Sequence, residues 1–195
     1  MSEWVRRKRH FLMRLLEDAV RSKVDRDILD LLMLINSIDE LYTTSSCSGR
    51  IQLVAVEEPG DKLNLKVIAK WHSSVEYHEV ENVLRGHHDN LWMVVQAPIL
   101  HIVARDLTTA SKVLSIARMA GFKNSGLISL HPERYVVQVA STESMSIPLI
   151  LKGKCLLSPE EIKVVLTLCS KLLNRSKDKL LRLTRLIREE FYSNS

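Results

Sequence analysis

Cysteine is scarce and poorly placed for cross-linking. Cys47, Cys155 and Cys169 are odd in number, far apart and contain no C-x-x-C pair, so neither a disulfide framework nor a zinc site is indicated. Long apolar runs are missing too. No stretch approaches the roughly 20 residues a membrane span needs. The opening "MSEWVRRKRHF" leads into an amphipathic pattern and not into a signal-peptide core. The chain therefore reads as cytoplasmic, with no membrane partner. Four catalytic signatures are also absent: G-x-G-x-x-G after a strand, G-x-x-x-x-G-K-[ST], H-E-x-x-H and G-x-S-x-G. Their absence argues against a Rossmann dinucleotide enzyme, a P-loop NTPase, a zincin and an α/β-hydrolase. Of seven histidines only the adjacent His87 and His88, beside Asp89, approach metal-ligand spacing. Ligands of a closed site must converge from several directions, so no metal is expected.

What is present suits one globular domain spanning 1–195. Hydrophobic residues make up 46% and charged residues 26% of the 195, an ordinary balance for a chain with a packed core. The net charge of +5 is unevenly placed. Residues 1–14 carry five basic side chains against Glu3, and residues 171–190 carry seven against Asp178, Glu189 and Glu190. Each end is thus strongly positive and the middle is mildly acidic. Basic terminal helices can gather polyanionic phosphate by counterion release; solvated helix faces explain such charge equally well.

Apolar periodicity gives two opening helices, on Leu12, Leu15, Leu16 and Ala19 and on Ile28 through Leu41. The polar run "SSCSGR" (45–50) follows as a helix-to-strand loop. "IQLVAV" and "LNLKVIAKW" flank the breaker cluster "EEPGD" and predict a hairpin. A short helix at about 75–85 precedes two strands, "LWMVVQA" and "ILHIVAR", interrupted by Pro98. Asp106 is positioned to cap a helix that stops at Gly121. "LISL" and "YVVQVAS" make another hairpin around "HPER", and "SPEE" (158–161) is a capping box opening a long helical region with a break at "NRS" (174–176). Strand-rich pieces enclosed by helices predict an α+β fold with a mixed or mostly antiparallel sheet.

Several residues carry candidate chemistry. Ser45, Ser46 and Ser48, with Gly49 freeing the backbone, can present hydroxyls and amides to one ligand, and Arg50 adds a planar donor fork. A plain serine-satisfied turn serves the same residues. Cys47, close to Arg50, is a possible thiolate nucleophile, although a small buried thiol is the commoner outcome. Trp71 offers a stacking face and His72 a proton acceptor, while Trp71 can equally fill the core. His101 and Arg105 lie four apart on one strand, so period two places both on the same face. A hydrogen-bonded core histidine is the alternative.

Four stretches together resemble one family. "INSIDELYTTSSCSGRI" (35–51), "AKWHSSVEYHEV" (69–80), "APILHIVARDLTTA" (97–110) and "AGFKNSGLISL" (120–130) are similar in order and spacing to archaeal members of the tRNA wybutosine-synthesizing protein 3 family. The resemblance covers about residues 10–150. It implies an S-adenosyl-L-methionine-dependent methyltransferase that acts on N4 of the tricyclic demethylwyosine-type base beside the anticodon of tRNA-Phe. It also implies a mixed-sheet α+β domain without the Rossmann methyltransferase core. The matching positions are Ser45, Ser46, Cys47, Ser48, Gly49 and Arg50, then Trp71 and His72, His101 and Arg105, and Lys123, Ser125 and Gly126. On side-chain chemistry, Ser45, Ser46, Ser48, Gly49, Arg50, Arg105, Lys123, Ser125 and Gly126 are expected to hold the cofactor, Trp71 to stack on the base, and His72 or His101 to accept the proton. Arg182 and Arg185, on the basic C-terminal helix outside the matched stretches, are expected to grip phosphates of the anticodon stem-loop. A non-enzymatic basic RNA-binding module, with the polar loops as turns, is the competing expectation. A thiol-dependent enzyme at Cys47 is a third.

Overall fold

The computed structural model describes residues 2–58, 60–61 and 63–192. The chain divides into two compact units interleaved in sequence. The first unit takes Met1–Ser48, Pro98–Thr142 and Lys177–Ser195, and the second takes Gly49–Ala97 and Glu143–Ser176. Each has its own sheet and its own apolar core.

In the first unit, α1 (Glu3–Val20) and α2 (Leu29–Ser37), joined by a short 3-10 turn at Arg26–Ile28, precede β1 (Leu41–Cys47). Strand β5 (Ile99–Ala104), helix α4 (Leu107–Met119) and the hairpin β6 (Gly126–His131) and β7 (Arg134–Ala140) complete a sheet of order β1-β5-β7-β6. All its pairs are antiparallel. Strand alternation sorts the side chains. Leu41, Leu100, Ile102, Ala104, Val137 and Val139 face a core completed by α2, α4 and the C-terminal part of α5. Tyr42, Val103 and Val136 face the other way, where Trp4 and Phe11 of α1 cover them. The indole of Trp4 lies 5.0 Å from the Tyr42 ring, Phe11 stacks on that ring at 5.3 Å, and Trp4 Nε1 donates to the Asp39 carbonyl at 3.0 Å. Three aromatics and one hydrogen bond thus fasten α1 to the sheet.

Helix α4 starts where the sequence predicts. Asp106 Oδ1 accepts from the Thr109 amide at 2.7 Å. It ends at Gly121, whose φ of +102° suits glycine alone and whose missing Cβ makes room for the Lys179 stem.

In the second unit, β2 (Arg50–Ala55), β3 (Lys66–Trp71), α3 (Tyr77–Leu84), β4 (Leu91–Gln96), β8 (Met145–Leu151) and the short β9 (Lys154–Cys155) form a sheet of order β3-β2-β4-β8-β9. Its described pairs are likewise all antiparallel. Ile51, Leu53, Met93, Val95 and Leu149 pack against Val80 of α3 and against Ile162, Leu166, Cys169 and Leu173 of α5.

The α+β class with mostly antiparallel pairing is what the sequence predicts, but five details differ. Two sheets stand where one was expected. The "SSCSGR" run is not all loop: Ser45, Ser46 and Cys47 close β1, where pairing with β5 satisfies their backbone despite the polar side chains, and Arg50 opens β2. The helix ends at Ser37, so Leu41 opens β1 and is not the last residue of a helical stripe. Strand β8, which the sequence reading did not anticipate, contains Pro148. Finally, α5 runs unbroken from Pro159 to Tyr192. The Ser176 hydroxyl donates back to the Leu173 carbonyl at 2.7 Å, so serine is accommodated inside the helix instead of breaking it.

Replacing Trp4 by alanine is expected to cost about 3–5 kcal/mol of stability, the usual penalty for emptying a buried aromatic site. A urea unfolding midpoint unchanged by Trp4→Ala would show that α1 is not fastened through this cluster.

Candidate functional site

The first unit brings Ser45, His101 and Gln138 into one row. These three residues are direct cross-strand partners, Ser45 opposite His101 and His101 opposite Gln138. A bulge in β1 makes this possible. Thr43 pairs with Ile102 and Ser45 with His101, so Thr44 is the extra residue. Paired in regular register, Thr44 would stand opposite His101 and Ser45 would share the core face with Leu41 and Thr43; the bulge instead turns Ser45 to the face of Tyr42 and His101. Ser45 Oγ lies 2.7 Å from His101 Nδ1, and Gln138 Oε1 lies 3.0 Å from His101 Nε2. With Gln138 accepting from Nε2–H, the ring presents a bare Nδ1 to the Ser45 hydroxyl. Gly126 pairs with Gln138 at the far end of the row, and no atom crowds the position a side chain would take there.

Beside this row, a cleft of about 210 Å³ runs between α1 and the edge strand β1, lined in part by Ser45, Ser46, Arg14, Asp18 and Lys23. It therefore offers hydroxyls together with both signs of charge. The other predicted residues of this unit lie differently. Arg105 and Lys123 are exposed. Ser125 is buried and its hydroxyl accepts from the Ala140 amide at 3.1 Å, so it ties two segments together. Ser48 is fully buried; its amide donates to Asp25 Oδ2 at 2.8 Å and its hydroxyl accepts from Lys177 Nζ at 2.8 Å. Lys177 also pairs with Asp27. Arg182 and Arg185 are exposed on α5, whose Leu183 and Ile187 turn into the core, and Arg185 lies 3.7 Å from Glu189.

The second unit holds Gly49, Arg50, Trp71 and His72. Gly49, with φ of +84°, turns the chain from β1 into β2. Arg50 pairs with Gln96 across the sheet, and its Nε donates to Gln96 Oε1 at 2.9 Å. Trp71 packs on the edge of this unit's core and donates its indole N–H to Glu79 Oε1 at 2.9 Å. The other oxygen of the same carboxylate accepts from the Glu76 amide at 2.8 Å. Glu79 thus clamps the 71–76 segment from both ends. His72 is half-buried beside it.

Sequence reasoning missed Gln138, Gln96, Glu79, Asp25 and the α1 side of the cleft. Gln138 carried a signal, being the one polar side chain inside "YVVQVA". Glu79 carried none, because its role depends on α3 folding back on the end of β3.

Comparison with known proteins gives these positions a family. A family model described as Methyltransferase TYW3 matches residues 6–189. The chain belongs to the TYW3 methyltransferase family. The match extends beyond the 10–150 covered by the sequence motifs and takes in most of the basic C-terminal helix. The chain is 39% identical to the Archaeoglobus fulgidus tRNA(Phe) 7-((3-amino-3-carboxypropyl)-4-demethylwyosine(37)-N(4))-methyltransferase, over 92% of this chain and 91% of that protein. A Pyrococcus horikoshii protein of the same description, numbered 1, is 37% identical over 91% of each chain. Among solved structures, PH1069 of Pyrococcus horikoshii superposes with a TM-score of 0.89 at 37% identity, covering 93% of this chain and 94% of that one. A hypothetical protein from Aeropyrum pernix gives 0.76 at 33% identity, covering 85% and 98%.

Within this TYW3 chain the thiols are set apart by burial. Cys169 is buried in the second core with its Sγ 3.4 Å from Met93 Sδ, and desolvation pushes its thiol up to about 12. Cys155 is exposed and Cys47 half-buried on β1.

Two outcomes follow. Iodoacetamide at pH 8 is expected to label Cys155 well before Cys169, as read by peptide mass spectrometry; earlier labelling of Cys169 would contradict its burial and raised pKa. Glu79→Ala is expected to lose about 1.5–3 kcal/mol, the range for hydrogen bonds to a charged group, and to shift the tryptophan emission as Trp71 is released. An unchanged spectrum and unfolding midpoint would remove Glu79 as the clamp.

Proposed function

We propose that this chain transfers a methyl group to N4 of the 7-(3-amino-3-carboxypropyl)-4-demethylwyosine of tRNA(Phe), as the names of its relatives describe for them. The observation that carries the reading is a family match over nearly the whole chain, with both units' candidate residues inside it. The described residues contain no helix long and apolar enough to cross a membrane, in keeping with an enzyme acting on tRNA in the cytoplasm. The whole chain, 1–195, is proposed to act as one methyltransferase.

A methyltransferase needs a methyl donor, and we infer S-adenosyl-L-methionine. The donor set of the α1–β1 cleft fits such a molecule: Arg14 and Lys23 complement a carboxylate, Asp18 complements an ammonium group, and Ser45 and Ser46 supply hydroxyls. Gly126, Arg105 and Lys123 are proposed as further donor-facing positions of the first unit. Ser48 and Ser125 support the same segments through the hydrogen bonds already described.

The donor, when bound, supplies an activated methyl group on a neutral leaving group, so the protein's part is placement and proton removal. Ser45 accepts the N4 proton as it passes its own to His101 Nδ1, and Gln138 holds the ring in the tautomer that can receive it. With a donor bound, its S–CH3 bond would break as the N–CH3 bond formed, and the displaced proton would end on His101. In the second unit, Trp71 is proposed to stack on the tricyclic base with its indole oriented by Glu79, and His72 to contact the base. Single-stranded loops present bases for such stacking. Arg182 and Arg185 are proposed to hold phosphates of the anticodon stem-loop.

Incubating the protein with methyl-labelled S-adenosylmethionine and tRNA(Phe) carrying the demethylwyosine-type base is expected to label N4 of that base. Absence of label would sink the proposed activity. His101→Ala is expected to lower kcat by about 10²–10⁴, the range for loss of a general base. A near-wild-type kcat in His101→Ala would reassign the proton acceptor.

A further inference from the structure

The second unit contains a groove that the proposed chemistry does not use. It has a volume of about 500 Å³ and lies between the segment leading into α3 and one face of α5. Lys163, Thr167 and Lys171 recur every four residues along α5 and line one wall; Ser74 and Tyr77 line the other. Lys163 Nζ lies 5.2 Å from the centroid of the Tyr77 ring, a cation–π contact that holds the ammonium over the groove. Eight residues separate the two lysines, and a helical rise of 1.5 Å per residue places them about 12 Å apart. Among the described residues that line the groove, Glu76 is the one carboxylate against the two ammonium groups.

The position of the groove gives it meaning. Its first wall begins at Ser74, two residues after His72, on the segment that Glu79 clamps beside Trp71. A ligand stacked on Trp71 would have its continuation beside Ser74 and Tyr77. The lining set of two ammonium groups, hydroxyls and one aromatic ring matches a sugar–phosphate chain better than an apolar molecule.

We propose that this groove binds the tRNA backbone next to the target base, with Lys163 and Lys171 on successive stretches of phosphate and Tyr77 against a ribose or base. The inference rests on the reading that the chain acts on tRNA, and it adds a phosphate-binding surface earlier on α5 than Arg182 and Arg185. The two lysines are exposed and outside the core, so their replacement leaves the fold intact.

The test compares wild type with Lys163→Ala/Lys171→Ala by fluorescence anisotropy with a tRNA(Phe) transcript across a salt series. The variant is expected to bind about tenfold more weakly at low salt. The slope of log K against log salt is expected to fall by about one to two, since each neutralised phosphate contributes roughly 0.7–0.9. Lys163→Glu/Lys171→Glu should weaken binding further, while the melting-temperature rise caused by S-adenosylmethionine should match wild type in both variants. An unchanged affinity and slope in variants that remain folded would overturn the proposal and leave the methyltransferase reading standing. An equal loss of binding to polyglutamate would also overturn it, marking a general anion surface. Failure of the wild type to bind the transcript at all would instead overturn the tRNA reading itself.

Discussion

The pairing of β1 with β5, and the single bulge within it, is the constraint on which the first unit's site depends. Ser45 reaches His101 only because Thr44 is an extra residue between two paired positions. Were Thr44 paired in regular register, it would stand opposite His101 and Ser45 would fall on the core face opposite Leu100. The bulge lies on an edge strand, where one inserted residue disturbs only one neighbour. The same edge leaves β1 able to form one wall of the cleft against α1.

That wall is held in place by packing and not by charge. Helix α1 carries a cluster of basic residues, yet its attachment runs through Trp4, Phe11 and Tyr42. Some of its charge is already engaged. Arg7 pairs with Glu3, and Lys8 donates to the Ile38 carbonyl, with burial lowering the Lys8 pKa as its dominant influence. The N-terminal charge is therefore partly structural, and less of it is available to an RNA than its count suggests.

The second unit solves a different problem, the orientation of an aromatic side chain at a sheet edge. One carboxylate, Glu79, bonds both the Trp71 indole and the Glu76 amide. Capping a short helix and orienting a large ring become the same interaction. The loop between them cannot shift without losing both bonds, and the Tyr77–Lys163 contact continues the ordered surface onto α5.

Much of this molecule was written locally. Alternating apolar residues specified β2 through β7, Asp106 and Ser158 marked two helix starts, and Gly121 marked a helix end, because each is an interaction among neighbours in the chain. The family resemblance rested on motifs of the same local kind. The tertiary structure decided what those residues do. "SSC" looks like part of a loop until β5 supplies its hydrogen-bond partners, and "NRS" looks like a break until Ser176 bonds back to Leu173. Ser45, Ser46 and Ser48 are indistinguishable as letters. Pairing register puts Ser45 against His101, the edge of the cleft takes Ser46, and Asp25 and Lys177 consume Ser48. Residue type sets what a side chain can bond, whereas the partners within reach are set by strands and helices brought together from distant parts of the sequence.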